Sequence, residues 1–167
     1  MKETGAIPAS YPGSVAEQLR RHGSFLSVTR GGSMEPLFRT NRDAVLLKTP
    51  SGPVRRYDVV LYCLGGKYIL HRVIAVREDC YWIRGDATYV VERVPKGDVI
   101  GILVAFVRKG KHTDVRARAY RFYSRVWCAI YPVRYLLHAA KSLLRKACRC
   151  IFPKKPSAGS DGSVPNG

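Results

Sequence analysis

Ser33 and His71 are the residues of this chain whose types and settings best suit covalent chemistry. Ser33 stands in Gly31-Gly32-Ser33-Met34-Glu35-Pro36, held between two glycines and a Met-x-Pro turn. Such a setting exposes a hydroxyl and lets another backbone approach it closely. His71 follows 38 residues later inside the apolar run Leu70-His71-Arg72-Val73, where a base is partly shielded from water. A serine hydroxyl is a poor nucleophile until a neighbouring base takes its proton. A histidine titrates near neutrality unperturbed and needs little tuning for that task. The pair therefore predicts a nucleophile and its general base, the chemistry of a serine peptidase. Each residue alone also has a plainer reading, Ser33 as an ordinary loop serine and His71 as a core histidine bonded to a backbone carbonyl.

A histidine base is helped by a carboxylate that fixes its tautomer and steadies the imidazolium. Asp86, 15 residues on and next to Gly85, is the first choice for that carboxylate, although a Gly-Asp pair also closes turns between strands. The transition state needs an oxyanion hole, and the N–H of Ser33 on its glycine-flanked turn is the natural donor. A second donor is a side chain or an N–H of Gly31 or Gly32, and the sequence leaves these open. His22, His112 and His138 lie in polar or helical stretches with no motif around them. Arg72 reads as a structural ion-pair partner of its surroundings. No metal or other cofactor is expected.

The spacing of these motifs resembles the signal peptidase superfamily of serine peptidases, which includes self-cleaving bacterial repressors. That family places its nucleophile in a Ser-Met-x-Pro box, matched by Ser33-Met34-Glu35-Pro36. A Gly-Asp-x-Val strand follows, matched loosely by Arg56-Tyr57-Asp58-Val59-Val60. The base-bearing strand reads Lys-Arg-Val in most bacterial members and His-Arg-Val in the endoplasmic-reticulum branch, and here it is His71-Arg72-Val73. A Gly-Asp box is matched by Gly85-Asp86, and a Val-x-Gly strand by Val99-Ile100-Gly101. The five matches fall in order over residues 24–107. The resemblance implies a Ser33–His71 catalytic pair, with Gly32 and Ser33 at the oxyanion turn and small side chains accepted before the cut. It also implies a second candidate acid, Glu92, six positions after Asp86. Where that branch has Gly-Asp-Asn-Asn, this chain has Gly85-Asp86-Ala87-Thr88, and the choice between Asp86 and Glu92 stays open.

These residues need a scaffold. At 167 residues with 46% apolar and 25% charged content, the chain suits one folded domain. A leader over 1–13 precedes a helix over Val15–His22, capped by Ser14 and stopped at Gly23. Six β-rich runs follow, at Phe25–Thr29, Ala44–Lys48, Val59–Tyr62, Tyr68–Val76, Tyr81–Arg84 and Val99–Val107. They predict a mainly β fold, a compact curled antiparallel sheet or barrel of the signal peptidase type, with a catalytic domain over 14–110. Substrate would then lie extended beside a strand edge, with Phe25–Arg30 a candidate.

After Lys111 the texture changes to a basic helical extension over 111–152 and a disordered tail over 153–167. Helices are expected at Arg118–Ile130 and Val133–Cys150, with Pro132 in a first turn. Residues 108–155 hold 14 Lys and Arg against one acid, Asp114, within a total net charge of +17. Such a segment implies an anionic partner. Arg134, His138, Lys141, Arg145 and Arg149 form one helical stripe, opposed by Leu136, Ala140, Leu143, Ala147 and Ile151. This fits a helix lying on an anionic membrane surface, and equally a helix packed on the barrel with a solvated basic face. Five cysteines without a CxxC pair predict free thiols, with metal or lipid attachment at Cys148-x-Cys150 the lesser alternative. No signal peptide and no membrane-spanning helix are expected, which places the protein in the cytoplasm or peripherally on the inner membrane face.

The leading expectation is therefore an endopeptidase that removes a leader or signal segment from another polypeptide. A self-cleaving transcriptional regulator is the alternative within the resemblance. It would need a DNA-binding helix pair and a scissile Ala-Gly or Cys-Gly bond upstream of Ser33. Residues 1–30 are too short for the first, and the one Ala-Gly pair, Ala158-Gly159, lies in the tail. A non-catalytic basic module for nucleic acid or membranes would explain the charge and leave the Ser33 and His71 motifs without purpose.

Overall fold

Short apolar runs separated by turn signals make this chain a sheet protein, and the structure, a computed structural model, describes residues 7–8 and 14–151 and the side chains of 14–145. In chain order the elements are β1 (Ile7–Pro8), α1 (Val15–His22), β2 (Ser24–Val28), β3 (Ala44–Lys48), β4 (Val59–Leu64), β5 (Lys67–Val76) and β6 (Cys80–Arg84). They continue with β7 (Glu92–Pro95), a short 3-10 turn (Lys96–Asp98), β8 (Val99–Arg108), β9 (Lys111–Asp114), α2 (Arg118–Ala129) and α3 (Tyr131–Ile151). Ser14 caps α1 by accepting from the Glu17 N–H at 3.2 Å, and Gly23 ends it.

All strands join one antiparallel sheet in the order β2-β3-β8-β4-β5-β6-β7, with β1 added to β5 and β9 to β8. The path ends at β2 and β7, so the sheet is open and the barrel alternative is not realised. Register shifts at Leu46/Leu47, Leu61/Tyr62 and Val73/Ala75 insert bulges, which bend strands and add twist. The two-residue turn at Gly65-Gly66, with φ of 56° and 74°, suits only glycine-tolerant backbone and fixes the pairing of β4 with β5.

The run Val59-Val60-Leu61-Tyr62 is buried throughout because β4 serves two cores. Val59 and Leu61 join Leu19, Phe38, Leu47, Leu103 and Phe106 on one side. Val60 and Tyr62 join Ile69, Val73, Ile83 and Val94 on the other. Alternation with period two sends neighbouring residues to opposite cores.

The expected domain boundary after residue 110 moves. The chain divides into two units between Ile130 and Tyr131, so β9 and α2 belong with the sheet. The cause lies in α2, whose Tyr120 and Ser124 are buried against Arg72. The second unit contains α3, where Leu136 and Leu143 of the expected apolar stripe are exposed. Among the described residues no helix is long and apolar enough to cross a membrane. The expected leader contributes Ile7–Pro8 as β1, paired with Tyr68 and Lys67. The expected tail and the Cys148-x-Cys150 side chains lie outside the described residues, while Cys63, Cys80 and Cys128 are free thiols.

Candidate active site

Ser33 lies in the loop 29–43, which joins β2 to β3 and is closed at its neck by polar clamps. The Thr29 N–H donates to the Asp43 carbonyl at 2.8 Å, and the Thr29 hydroxyl is shared between the Arg39 and Asp43 carbonyls at 2.9 and 3.0 Å. The fully buried Asp43 carboxylate accepts from the Arg39 N–H at 2.8 Å and from the Arg42 guanidinium. Met34, Leu37 and Phe38 anchor the loop in the first core. The turn is thus held from both ends, and Ser33 is left half-buried at its crest.

His71 is 1% exposed, in the middle of β5, and opposite Val60 of β4. Tyr62, paired with Ile69, is its diagonal neighbour on the same face. The Tyr62 hydroxyl donates to a Glu92 carboxylate oxygen and lies 3.2 Å from His71 Nδ1. A hydroxyl has one proton, and this one is given to Glu92. Tyr62 can therefore only accept from His71, which assigns a proton to Nδ1 and leaves a lone pair on Nε2. Burial, followed by the hydrogen bond and charge of Glu92, holds the Tyr62 phenol far above its ordinary range, so it keeps that proton. Glu92 also stands 3.6 Å from Nδ1 directly.

Nε2 is the unusual atom. It is buried and has no hydrogen-bond partner among the described residues. Burial pushes the imidazole pKa down to about 4, so the ring is neutral at physiological pH. The hydrogen bond expected between the Ser33 hydroxyl and this nitrogen is accordingly not formed. The two residues nevertheless meet at Gly85. A Cβ placed on Gly85 would lie 2.6 Å from the Ser33 carbonyl oxygen and 2.9 Å from His71 Nε2. No side chain fits there, which explains the glycine. The Ser33 carbonyl is further held by the Ala87 N–H at 2.8 Å, so the Gly85-Asp86-Ala87 segment ties the serine loop to the histidine strand.

Asp86, the first choice for the orienting acid, has another partner. Its two oxygens accept from Arg72 Nε and NH2 at 2.8 and 2.7 Å, both residues being buried. Arg72 NH1 donates in addition to the Tyr57 carbonyl at 3.0 Å, Ser124 Oγ at 2.8 Å and Tyr120 Oη at 3.3 Å. Adjacent residues of a strand face opposite ways, so Arg72 draws Asp86 away from the imidazole on the next residue. The geometry corrects the order of preference, with Glu92 at His71 and Asp86 at Arg72. The Trp127 indole N–H donates to the Asp86 carbonyl at 3.1 Å, so α2 secures the same segment.

Sequence reasoning missed Tyr62 and the strand β7 that carries Glu92. Glu92 pairs with Ile83 across the β6–β7 ladder. A strand of four residues ending in proline has too little pattern to announce itself. Tyr62 could have been found from the Gly65-Gly66 turn, since a two-residue hairpin fixes which residues lie diagonal to His71.

Gly32 and Ser33 occupy the turn expected for the oxyanion, and the Ser33 N–H donates no hydrogen bond among the described residues. Beside Ser33 is a small apolar cavity of about 30 Å³, lined by Val28, Met34, Leu61, Tyr68 and Leu70. His22, His112 and His138 lie on α1, β9 and α3. No group of side chains suited to a metal ion occurs among the described residues. No protein-family model matches the chain, and no curated protein matches it at a significant level.

Proposed function

We propose that this protein is a serine endopeptidase resembling signal peptidase, in which Ser33 is the nucleophile and His71 the general base. The observation that carries the reading is the buried, partnerless lone pair on His71 Nε2 beside the Ser33 backbone. A neutral imidazole whose outer nitrogen is fixed as a proton acceptor is what activation of a hydroxyl requires.

In the proposed reaction, Ser33 rotates about its Cα–Cβ bond to bring Oγ to Nε2. Oγ attacks the scissile carbonyl carbon as its proton passes to Nε2. The imidazolium formed keeps its Nδ1–H on Tyr62, and the Glu92 carboxylate behind that hydroxyl steadies the positive charge. The Ser33 N–H, on its glycine-flanked turn, donates to the developing oxyanion. The tetrahedral intermediate collapses when Nε2 returns the proton to the leaving amine, giving an acyl-serine. Water then repeats the sequence in reverse, with Nε2 taking its proton. The small cavity beside Ser33 favours a small apolar side chain before the cut, and the open edge at β2 is the strand against which an extended substrate would lie. The substrate class is a polypeptide bearing a leader or signal segment.

The test is incubation of the purified protein with a complex peptide library, followed by mass-spectrometric reading of new termini. Cleavage after small residues by the wild type, absent from Ser33→Ala, is the expected result. Equal cleavage by both proteins would end the assignment.

A further inference from the structure

A second concavity of the first unit lies away from Ser33. It is a groove of about 550 Å³ between the loop 50–58, β8 and the N-terminal half of α2. Its rim carries Arg55, Arg56, Arg116, Arg121 and Arg125, all exposed, against a single acid, Asp58. One carboxylate can offset only one of these five charges. One of its oxygens accepts from the Arg55 N–H at 2.8 Å, and burial raises its pKa. Among the described residues none of the five guanidinium groups is in an ion pair. Like charges repel, so such a cluster carries a small electrostatic cost and attracts anions.

A second feature of α2 says which kind of anion. Arg118, Arg121 and Arg125 recur at helical spacing on one stripe, and Tyr120 and Ser124 are buried toward the sheet. Between these faces runs a third stripe of Phe122, Val126 and Ile130, exposed at 71%, 39% and 38%. A pocket for a soluble phosphate compound gains nothing from an exposed phenylalanine beside it. A bilayer surface supplies both needs, with phosphate at headgroup level and acyl chain below for the apolar stripe. Arginine suits this because its planar fork binds phosphate oxygens in pairs.

We propose that the arginine groove is a binding site for the phosphate headgroup of an anionic phospholipid, with Phe122 and Val126 entering the bilayer surface beside it. The site lies wholly in the first unit and does not rest on the peptidase reading. It would bring the chain to a membrane without a spanning helix.

The experiment is co-sedimentation of the full chain with phosphatidylcholine vesicles, with and without phosphatidylglycerol. The wild type is expected to bind the anionic vesicles alone. The double variant Arg121→Gln/Arg125→Gln should bind them roughly 25-fold more weakly, at roughly fivefold per arginine. Phe122→Ser should weaken binding while leaving the charge intact. Arg77→Gln/Arg93→Gln removes the same charge from side chains stacked on Trp82, outside the groove, and should stay within about twofold of wild type. Equal losses in the two double variants would overturn the proposal, because binding would then follow net charge alone. Retention of vesicle binding by Arg121→Gln/Arg125→Gln would also overturn it. So would wild-type binding to a DNA oligonucleotide or inorganic phosphate that depends on Arg121 and Arg125, with no binding to vesicles.

Discussion

His71 and Arg72 are neighbours on one strand, almost completely buried, and surrounded by polar groups, yet their surroundings are built differently. Every guanidinium nitrogen of Arg72 has a partner, drawn from Asp86, Tyr57, Ser124 and Tyr120. Among the described residues the imidazole of His71 is held through Nδ1 only, and its buried Nε2 has no partner. A closed network spends its hydrogen bonds on holding elements together. An open one leaves a group able to accept a proton from something that is not yet bonded to it. Arg72–Asp86 thus ties elements together, and His71–Tyr62–Glu92 is the network on which the proposed chemistry rests.

The largest effects should come from the open network. Ser33→Ala and His71→Ala are each expected to lower turnover by roughly 10⁴-fold or more. The melting temperature should change little in Ser33→Ala and fall somewhat in His71→Ala, because the lost buried ring leaves a cavity. A retained rate in either would break the distinction. Glu92→Gln should cost activity on the order of a hundredfold, because the carboxylate acts through Tyr62 on the imidazolium. Its thermal stability should change little, since Glu92 is 24% exposed.

The closed network should behave in the opposite way. Asp86→Asn leaves the Arg72 charge buried without its counter-ion, and the expected loss is about 3–5 kcal/mol of folding stability. Chemical denaturation measures this directly. An Asp86→Asn protein of normal stability and lost activity would restore Asp86 as the orienting acid and reverse the comparison.

The pH dependence sharpens the contrast further. The unfolded chain protonates a histidine near pH 6.5, whereas burial holds His71 at about 4 in the fold. The unfolded state therefore binds more protons between these values, and stability falls as pH is lowered through them. The His71 contribution is complete above about 6.5 and is lost as pH approaches about 4. For the same reason the acid limb of kcat/KM should fall near pH 4 in the wild type. A limb near the ordinary histidine value would show that Nε2 is solvated.

The smallest effect concerns Tyr57, which holds the Arg72 network through its carbonyl. Its φ of 80° is in the left-handed region that bulky side chains avoid. Tyr57→Gly should relieve about 1 kcal/mol of backbone strain, offset in part by loss of the Arg56 contact on its ring at 4.8 Å.

Much of this was legible in the sequence. The helix capped by Ser14 and the strand Ala44–Lys48 have the bounds that their patterns give. The Ser33 and His71 motifs stood out because glycine, proline and an ionisable residue in an apolar run are each locally unusual. Three strands were not legible, since β1, β7 and β9 have two to four residues and take their pairing from longer neighbours. The partner of Asp86 was hidden for a different reason. Arg72 meets it at a separation of 14 residues, and which acid joins which cation depends on the strand face each occupies. The role of α2 was hidden because an arginine-rich helix reads as a solvated extension until Ser124 and Trp127 are seen bonded to the sheet unit.

The central claim is that His71 presents an unprotonated Nε2 to Ser33, and nitrogen NMR of the imidazole tests it most directly. With the ring nitrogens labelled, the two tautomers give well-separated shifts for the protonated and unprotonated positions. The account predicts a proton on Nδ1 and none on Nε2 from neutral pH down to about 4, and a mixed tautomer when Tyr62 is replaced by phenylalanine. A proton found on Nε2 in the wild type at neutral pH would contradict it.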